Sequence, residues 1–321
     1  MYTECLGPID QKDTEKSIRV IEQVVRQLQQ GLLVAFPTET TYGIAGSVTN
    51  HRAIQQLFRV KGRKKDQALP VAVASLDQLQ LLVRDFPEEA QVIAHQFLPG
   101  PLTLVLKKHP DLSSLITGGE ERQTVAVRFP AHPVAHRLIK LTGCPLVLSS
   151  ANASGRPSST KASHVFEDFN GIIHSIVDGG DTQYGMESTI LSLEDPTRPL
   201  LCRFGVISHY ALQPFLKFPI RVHPQAFFQK NRAATHTVRL FSSWDEIKIY
   251  LQLTGNSKRL IMSIDKSPLE SHNHFQLDAK NLYDGLRLAD RNGYSEVLVH
   301  CSTEVKRDEL LLRRLKQIAS P

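Results

Sequence analysis

The sequence predicts an α/β protein, and three observations carry that expectation. Short apolar runs of strand length alternate with stretches of helical spacing, several of those runs open into loops rich in hydroxyls and glycine, and the alternation lapses once, near Ser208 to Thr235, before resuming. The lapse divides the chain into an expected larger domain at 1–208, an interdomain linker at 209–236 and a smaller α/β domain at 237–321.

The elements follow in order. Asp13 to Gln30 carries Ile18, Ile21, Val25 and Leu28 at helical spacing and meets Gly31, a helix stop. Leu32 to Phe36 is a strand feeding the loop Pro37 to Gly46. Thr49 or Asn50 caps a short helix with Ile54, Leu57 and Phe58. Leu69 to Ala74 is a strand, followed by helices from Ser75 to about Arg84 and from Pro87 to Phe97, where Pro99-Gly-Pro101 stops the chain. Leu102 to Lys107 and Thr124 to Arg128 are strands, Pro133 to Thr142 a helix and Pro145 to Leu148 a strand that enters a serine-rich loop. Ile172 to Val177, Ser188 to Leu193 and Leu200 to Phe204 complete the first domain. In the second, Thr237 to Phe241, Arg259 to Ile264 and Glu296 to Cys301 are strands, and helices start at the Ser243-x-x-Glu246 capping box, at Asp278 and at Thr303. No GxGxxG or Walker A sequence accompanies this Rossmann-like pattern, so it does not by itself imply a cofactor site.

At 321 residues, 41% apolar and 22% charged, the composition is that of an ordinary globular protein. No window approaches the roughly 18 apolar residues of a membrane span. Met1 to Asp10 lacks a basic segment followed by an apolar one, so a cytoplasmic location without a membrane partner is expected. The 4 cysteines lie far apart with no CxxC pair and are expected to be packing residues rather than metal ligands or disulfides. A net charge of +6 and a pI near 9.1 favour an anionic partner such as a nucleotide or RNA.

Candidate chemistry gathers in three places. Arg59-Val-Lys-Gly-Arg-Lys-Lys65 has cations around one glycine and is expected to form a mobile basic lip for an anion. The Pro37 loop and the Ser149 to Ser159 loop lie at strand ends and can offer hydroxyls and backbone N–H groups to phosphate oxygens. Arg128 and Arg203 also end strands. Asp178 and Asp181 read as a turn rather than a metal site. No His/Asp/Ser triad, HExxH or paired general acid and base appears, an inventory that suits phosphoryl or nucleotidyl transfer, where positioning and charge stabilisation supply most of the catalysis.

Pro37-Thr-Glu-Thr-Thr-Tyr-Gly, Lys61-Gly-Arg, Pro99-Gly-Pro-Leu-Thr, Val125-Ala-Val-Arg-Phe-Pro, Ser150-Ala-Asn-Ala-Ser-Gly and Glu187-Ser-Thr-Ile resemble the motifs of the Sua5/YciO/YrdC family over about residues 15–208. The tail from Ala279 is similar to the extra domain of the longer, Sua5-type members. The resemblance implies a YrdC-like twisted mixed sheet with helices and a large cationic cavity, plus a small C-terminal Rossmann-like domain. It implies an L-threonylcarbamoyladenylate synthase that condenses L-threonine, bicarbonate or CO2 and ATP to threonylcarbamoyl-AMP and pyrophosphate for t6A modification of tRNA. Its partner would be a downstream tRNA threonylcarbamoyl transferase, and Mg2+ would come with ATP without dedicated protein ligands. By motif, Lys61, Arg63, Thr124, Ser150, Asn152, Ser158 and Arg203 would contact ATP, with Lys61 and Arg63 the catalytic cations. Thr38, Arg128 and Ser188 would hold threonine, a planar guanidinium at Arg128 suiting its carboxylate.

The chain departs from the family pattern in three places: Lys64 and Gln67-Ala68 replace prolines and asparagine, Ala72 stands where a histidine is expected, and Asn231 to His236 only distantly matches the family linker motif. Two rival readings are an RNA-binding module and a relative that acts on another carbamoyl or nucleotide substrate. The first predicts binding that weakens steeply with salt and needs no serine loop.

Overall fold

The computed structural model describes residues 2–9, 14–64, 66–227, 236–255, 258–269 and 272–319. The chain divides into two compact units, one of residues 1–154 and 158–227, the other of 155–157 and 228–321.

The first unit is built on a mixed sheet. Its strands are β1 (Glu4–Leu6), β2 (Val34–Pro37), β3 (Tyr42–Ser47), β4 (Val71–Ala72), β5 (Leu102–Lys107), β6 (Thr124–Arg128), β7 (Leu146–Ser150), β8 (Ser175–Val177), β9 (Thr189–Ser192), β10 (Leu200–Arg203) and β11 (Arg221–Val222). They lie in the order β1-β8-β2-β3-β7-β4-β6-β5-β9-β10-β11. On one face the helices Glu15–Gln29 and Pro133–Thr142 bury Ile21, Val24, Leu28, Leu138 and Ile139 against Val34, Phe36 and Leu146. The opposite face carries the larger core, in which Ile54 and Leu57 of the helix His51–Val60 meet Val71, Leu104, Val127 and Leu191. Each such fully buried aliphatic side chain contributes roughly 1.5–3 kcal/mol, so the two cores fix the sheet that carries the polar loops.

Several expectations are corrected. The Pro37 to Gly46 loop is a hairpin: after a turn at residues 38–41 the chain returns as β3, antiparallel to β2. Its glycine-rich sequence hid a strand whose six residues are all buried. The serine loop likewise starts later than expected, because Ser149 and Ser150 belong to β7 and pair with Ile44 and Gly43. The expected linker from 209 to 236 does not run free over its first part. Leu212 and Leu216 join the larger core, the Phe215 ring meets Phe97 edge-on at 5.4 Å, and β11 extends the sheet. The prolines at 214, 219 and 224 break periodicity without removing the apolar contacts. Residues 228–235, including most of the distant linker motif, lie outside the described residues, as do Lys65 and Asp13. Of the cysteines expected to pack, Cys301 is buried but Cys5 is exposed, and all four are free.

The second unit is a four-stranded parallel sheet of β12 (Thr237–Phe241), β13 (Arg259–Ser263), β14 (Asn273–Gln276) and β15 (Glu296–His300), in the order β12-β15-β13-β14. Strand β14 was not apparent from the sequence, since its half-exposed Asn-His-Phe-Gln has no apolar run. The expected terminal helix is two helices, Thr303–Arg307 and Glu309–Ile318. They break at Asp308, whose carboxylate caps the second by accepting from Leu311 N–H.

Candidate active site

The basic stretch, described from Arg59 to Lys64, closes a helix instead of forming a separate loop, which corrects the expectation of a lip. Lys61 caps the helix His51–Val60, and Gly62 follows with φ +55°. Gly62 N–H donates to Arg59 O at 3.1 Å and Arg63 N–H to Phe58 O at 3.0 Å, the paired bonds of a Schellman motif. A glycine is needed here because the left-handed conformation disfavours a Cβ. The turn sends Lys61 inward: its Nζ donates to Ser150 O at 2.7 Å and to Asn152 O, and lies 5.9 Å over the Phe169 ring. Arg63 Nε donates to Gln67 Oε1 at 3.2 Å, while its Nη1 is buried with no hydrogen-bond partner. Burial pushes the Arg63 guanidinium below its ordinary value.

The serine loop is fastened to the hairpin by backbone bonds. Tyr42 O accepts from Ala151 N–H and Tyr42 N–H donates to Ser159 O, each at 2.8 Å. Ser158 Oγ donates to Glu187 Oε1 at 2.9 Å, which ties the loop to the segment that delivers Ser188. Ser188 Oγ then meets Thr103 Oγ1 and Arg203 Nη2, both at 2.8 Å, and Arg203 Nε donates to Ser188 O at 2.9 Å. Gly205 permits this approach, since a Cβ there would stand 2.3 Å from the Ser188 carbonyl carbon.

Arg128 is joined to the same group through the sheet. Thr103 and Arg128 are register partners on β5 and β6, so their side chains stand on one face. Arg128 Nη2 donates to Glu39 Oε1 at 2.7 Å and to Thr38 Oγ1 at 3.4 Å. Glu39 Oε2 accepts from Ala131 N–H at 3.0 Å, and Glu39 O accepts from Tyr184 N–H at 2.9 Å. Thr38 Oγ1 also closes its own turn, accepting from Thr40 N–H and Thr41 N–H at 3.3 Å each. Arg128 Nε is buried and has no hydrogen-bond partner. Nearby, burial pushes His132 below its ordinary value against the opposing field of Glu39. Ala72, at the family histidine position, is the register partner of Arg128 on β4 and is fully buried.

The structure thus brings Thr38, Arg128 and Ser188 together through the β5–β6 register, gathers Lys61, Ser150 and Asn152 at the base of the serine loop, places Ser158 on the link to the Ser188 segment and sets Arg203 against Ser188. Thr124 lies on the same sheet face as Arg128, four residues and about 13 Å along β6. Arg63, two residues beyond Lys61, bonds Gln67 rather than the serine loop. Sequence reasoning missed Glu39, Thr103 and Glu187 as site residues. All three lie inside the quoted motifs, and the signal was their position among polar neighbours that a buried strand end must satisfy. The Asp178 carboxylate accepts from Gly180 N–H at 3.1 Å, as a turn does.

Comparison with known proteins places these residues in context. The Sua5/YciO/YrdC family model, described as telomere recombination, matches residues 26–205. A threonylcarbamoyl-AMP synthase of Pyrococcus abyssi is 44% identical over 213 residues, 66% of this chain and 61% of its own length. One of Bacillus subtilis is 44% identical over 203 residues, 63% of this chain and 58% of its own length. The sequence match therefore spans about six-tenths of these relatives. The crystal structure of P. abyssi Sua5 complexed with L-threonine superposes with a TM-score of 0.85 at 31% identity, covering 99% of each chain.

Proposed function

Since the chain belongs to the Sua5/YciO/YrdC family, we propose that it is an L-threonylcarbamoyladenylate synthase, which forms threonylcarbamoyl-AMP from L-threonine, bicarbonate or CO2 and ATP. The observation that carries this reading is that Arg128 bonds Thr38 while its register partner Thr103 bonds Ser188, and that the Ser158–Glu187 bond ties the serine loop, with Lys61 on its Ser150 and Asn152 carbonyls, to the segment that carries Ser188. The P. abyssi structure that shares the fold holds L-threonine.

In this reading the guanidinium of Arg128 takes the threonine carboxylate, completing the donor set that Nε leaves open. Thr38 and Ser188 orient the rest of the amino acid. The amine, once carboxylated, presents a carbamate oxygen to the α-phosphorus of ATP; the new P–O bond forms as the bond to pyrophosphate breaks. Lys61 and Arg63 offset charge that builds on the phosphate oxygens, and the serine loop orients them with hydroxyl and N–H groups. Thr124 and Arg203 complete the nucleotide side.

Mg2+ would ride on the triphosphate. The donors facing the phosphates are cations and hydroxyls, and among the described residues no group of three His, Cys, Asp or Glu could hold a metal. Bound to ATP, the ion would supply charge neutralisation on the triphosphate. The product would pass to a tRNA threonylcarbamoyl transferase. No helix among the described residues is long and apolar enough to cross a membrane.

The test is pyrophosphate release by the pure protein with ATP, Mg2+ and bicarbonate, with and without L-threonine. Threonine-dependent release is expected. Release that ignores threonine would overturn the substrate assignment, and salt-sensitive RNA binding without release would favour the RNA-binding alternative.

A further inference from the structure

The Arg128 pocket holds an acid that the proposed reaction leaves without a role. Glu39 is 2% exposed and uses both carboxylate oxygens, one on Arg128 Nη2 at 2.7 Å and one on the Ala131 N–H at 3.0 Å. The second bond anchors the carboxylate to the backbone just past β6, so the acid holds the guanidinium at a set angle to its own strand. Arg128 Nε, on the same guanidinium, is a buried donor with no hydrogen-bond partner. Buried charged donors are rarely left so, and the open position is where a ligand oxygen completes the set.

Glu39 also changes what the pocket attracts. An isolated buried arginine would draw any anion, and a triphosphate above all. Paired with Glu39, the site is neutral before the ligand arrives. A simple anion entering it would leave two carboxylates on one guanidinium. A zwitterion brings its own cation and keeps the balance. The cations on the proposed phosphate side are Lys61, bonded to the Ser150 and Asn152 carbonyls, and Arg63, whose Nη1 is buried without a hydrogen-bond partner.

On the reading that this site takes threonine, we infer that Glu39 is a positioning and specificity-determining residue: it fixes Arg128 for a carboxylate and confines the pocket to zwitterionic amino acids, keeping phosphate and simple carboxylates out. Gln at position 39 would keep the shape but turn one acceptor into a donor. Either Arg128 or Ala131 would then face an N–H, and the pocket would gain a positive charge.

The experiment is calorimetric binding of L-threonine, of 3-hydroxybutyrate, which is threonine without its amine, and of inorganic phosphate to the full chain and to Glu39→Gln. Wild type should prefer threonine to 3-hydroxybutyrate by at least about tenfold. In the variant threonine should weaken by about tenfold or more while 3-hydroxybutyrate and phosphate hold or tighten, so that the preference collapses. Parallel weakening of all three ligands, or an unchanged preference, would overturn the inference. Glu39→Asp, which keeps the charge but shortens the reach, serves where Glu39→Gln fails to fold; it should retain the preference for threonine at reduced affinity, and loss of that preference would count against Glu39. Wild type that binds threonine with this preference but releases no pyrophosphate would overturn the reaction proposed above and leave the Glu39 assignment standing. Wild type that binds no threonine overturns both.

Discussion

Two buried arginines, one in each unit, are paired with glutamates at nearly the same distance, and they differ in what remains open. Arg259, at the start of β13, meets Glu296 at 2.6 Å and gives its other nitrogens to Gly255 O, Thr254 O and Thr254 Oγ1. Glu296 in turn accepts from Arg239 Nε at 3.1 Å and Tyr250 Oη at 2.5 Å. Arg128 meets Glu39 at 2.7 Å but keeps Nε without a partner. A pair whose guanidinium nitrogens are all used supports the fold. A pair with one buried donor open is shaped for something that arrives.

The comparison breaks most sharply at Arg128→Ala. Glu39 would be left buried and unpaired, a loss of about 3–5 kcal/mol in urea unfolding, and threonine-dependent pyrophosphate release should disappear. Arg259→Ala should weaken the fold in the same assay and leave threonine affinity unchanged, because the second network holds no ligand. Equal losses of threonine affinity in the two variants would erase the distinction.

Lys61→Ala and Arg63→Ala come next. Each removes a charged hydrogen bond worth roughly 1.5–3 kcal/mol, a drop of roughly 10- to 100-fold in kcat/KM. Lys61→Ala should be the worse, since Lys61 also ties Ser150 and Asn152 together. Steady-state assays check this, with the melting temperature expected to hold in Arg63→Ala and to fall in Lys61→Ala, which loses both bonds to the loop.

Acid separates the units further. Desolvation raises the Glu296 carboxyl, but hydrogen bonds from Tyr250, Arg259 and Arg239 outweigh it and hold the group at about 2, below its ordinary 4.5. Its contribution is therefore complete above the unfolded value and is lost as the pH falls from there toward about 2. A melting series across that window should decline in wild type and decline less in Glu296→Gln. The smallest effect is expected for Gly62→Ala. A Cβ there meets nothing within 4 Å, so only the left-handed backbone at φ +55° resists it, at about 1–2 kcal/mol by thermal unfolding.

The sequence made the α/β class and most core strands legible because apolar runs and glycine or proline stops speak locally. Leu102 to Lys107 and Thr124 to Arg128 matched their strands to the residue. Strand β3 was hidden because Tyr42-Gly-Ile-Ala-Gly-Ser is buried by neighbours on both sides of the sheet, not by its own pattern. The same limit applied to the site. Thr38, Arg128 and Ser188 were visible as motif residues, whereas the roles of Glu39 and Thr103 depend on cross-strand partners. Lys61 was legible as an anion-binding cation, but its bonds to the Ser150 and Asn152 carbonyls were not, because they depend on the Schellman turn at Gly62 that directs it inward.

The order β4-β6-β5-β9-β10 carries a consequence for how the protein comes into being. Thr103, Arg128, Ser188 and Arg203 are strand neighbours or near neighbours in space, yet the chain between the first and the last must be synthesised and its long loops closed before all four meet. A nascent chain that stops short of β10 has the motifs but lacks Arg203, whose two bonds hold Ser188. Threonine would then act as a reporter of completed folding: by linkage it stabilises only the finished sheet, and amide exchange in these strands should slow together when it binds.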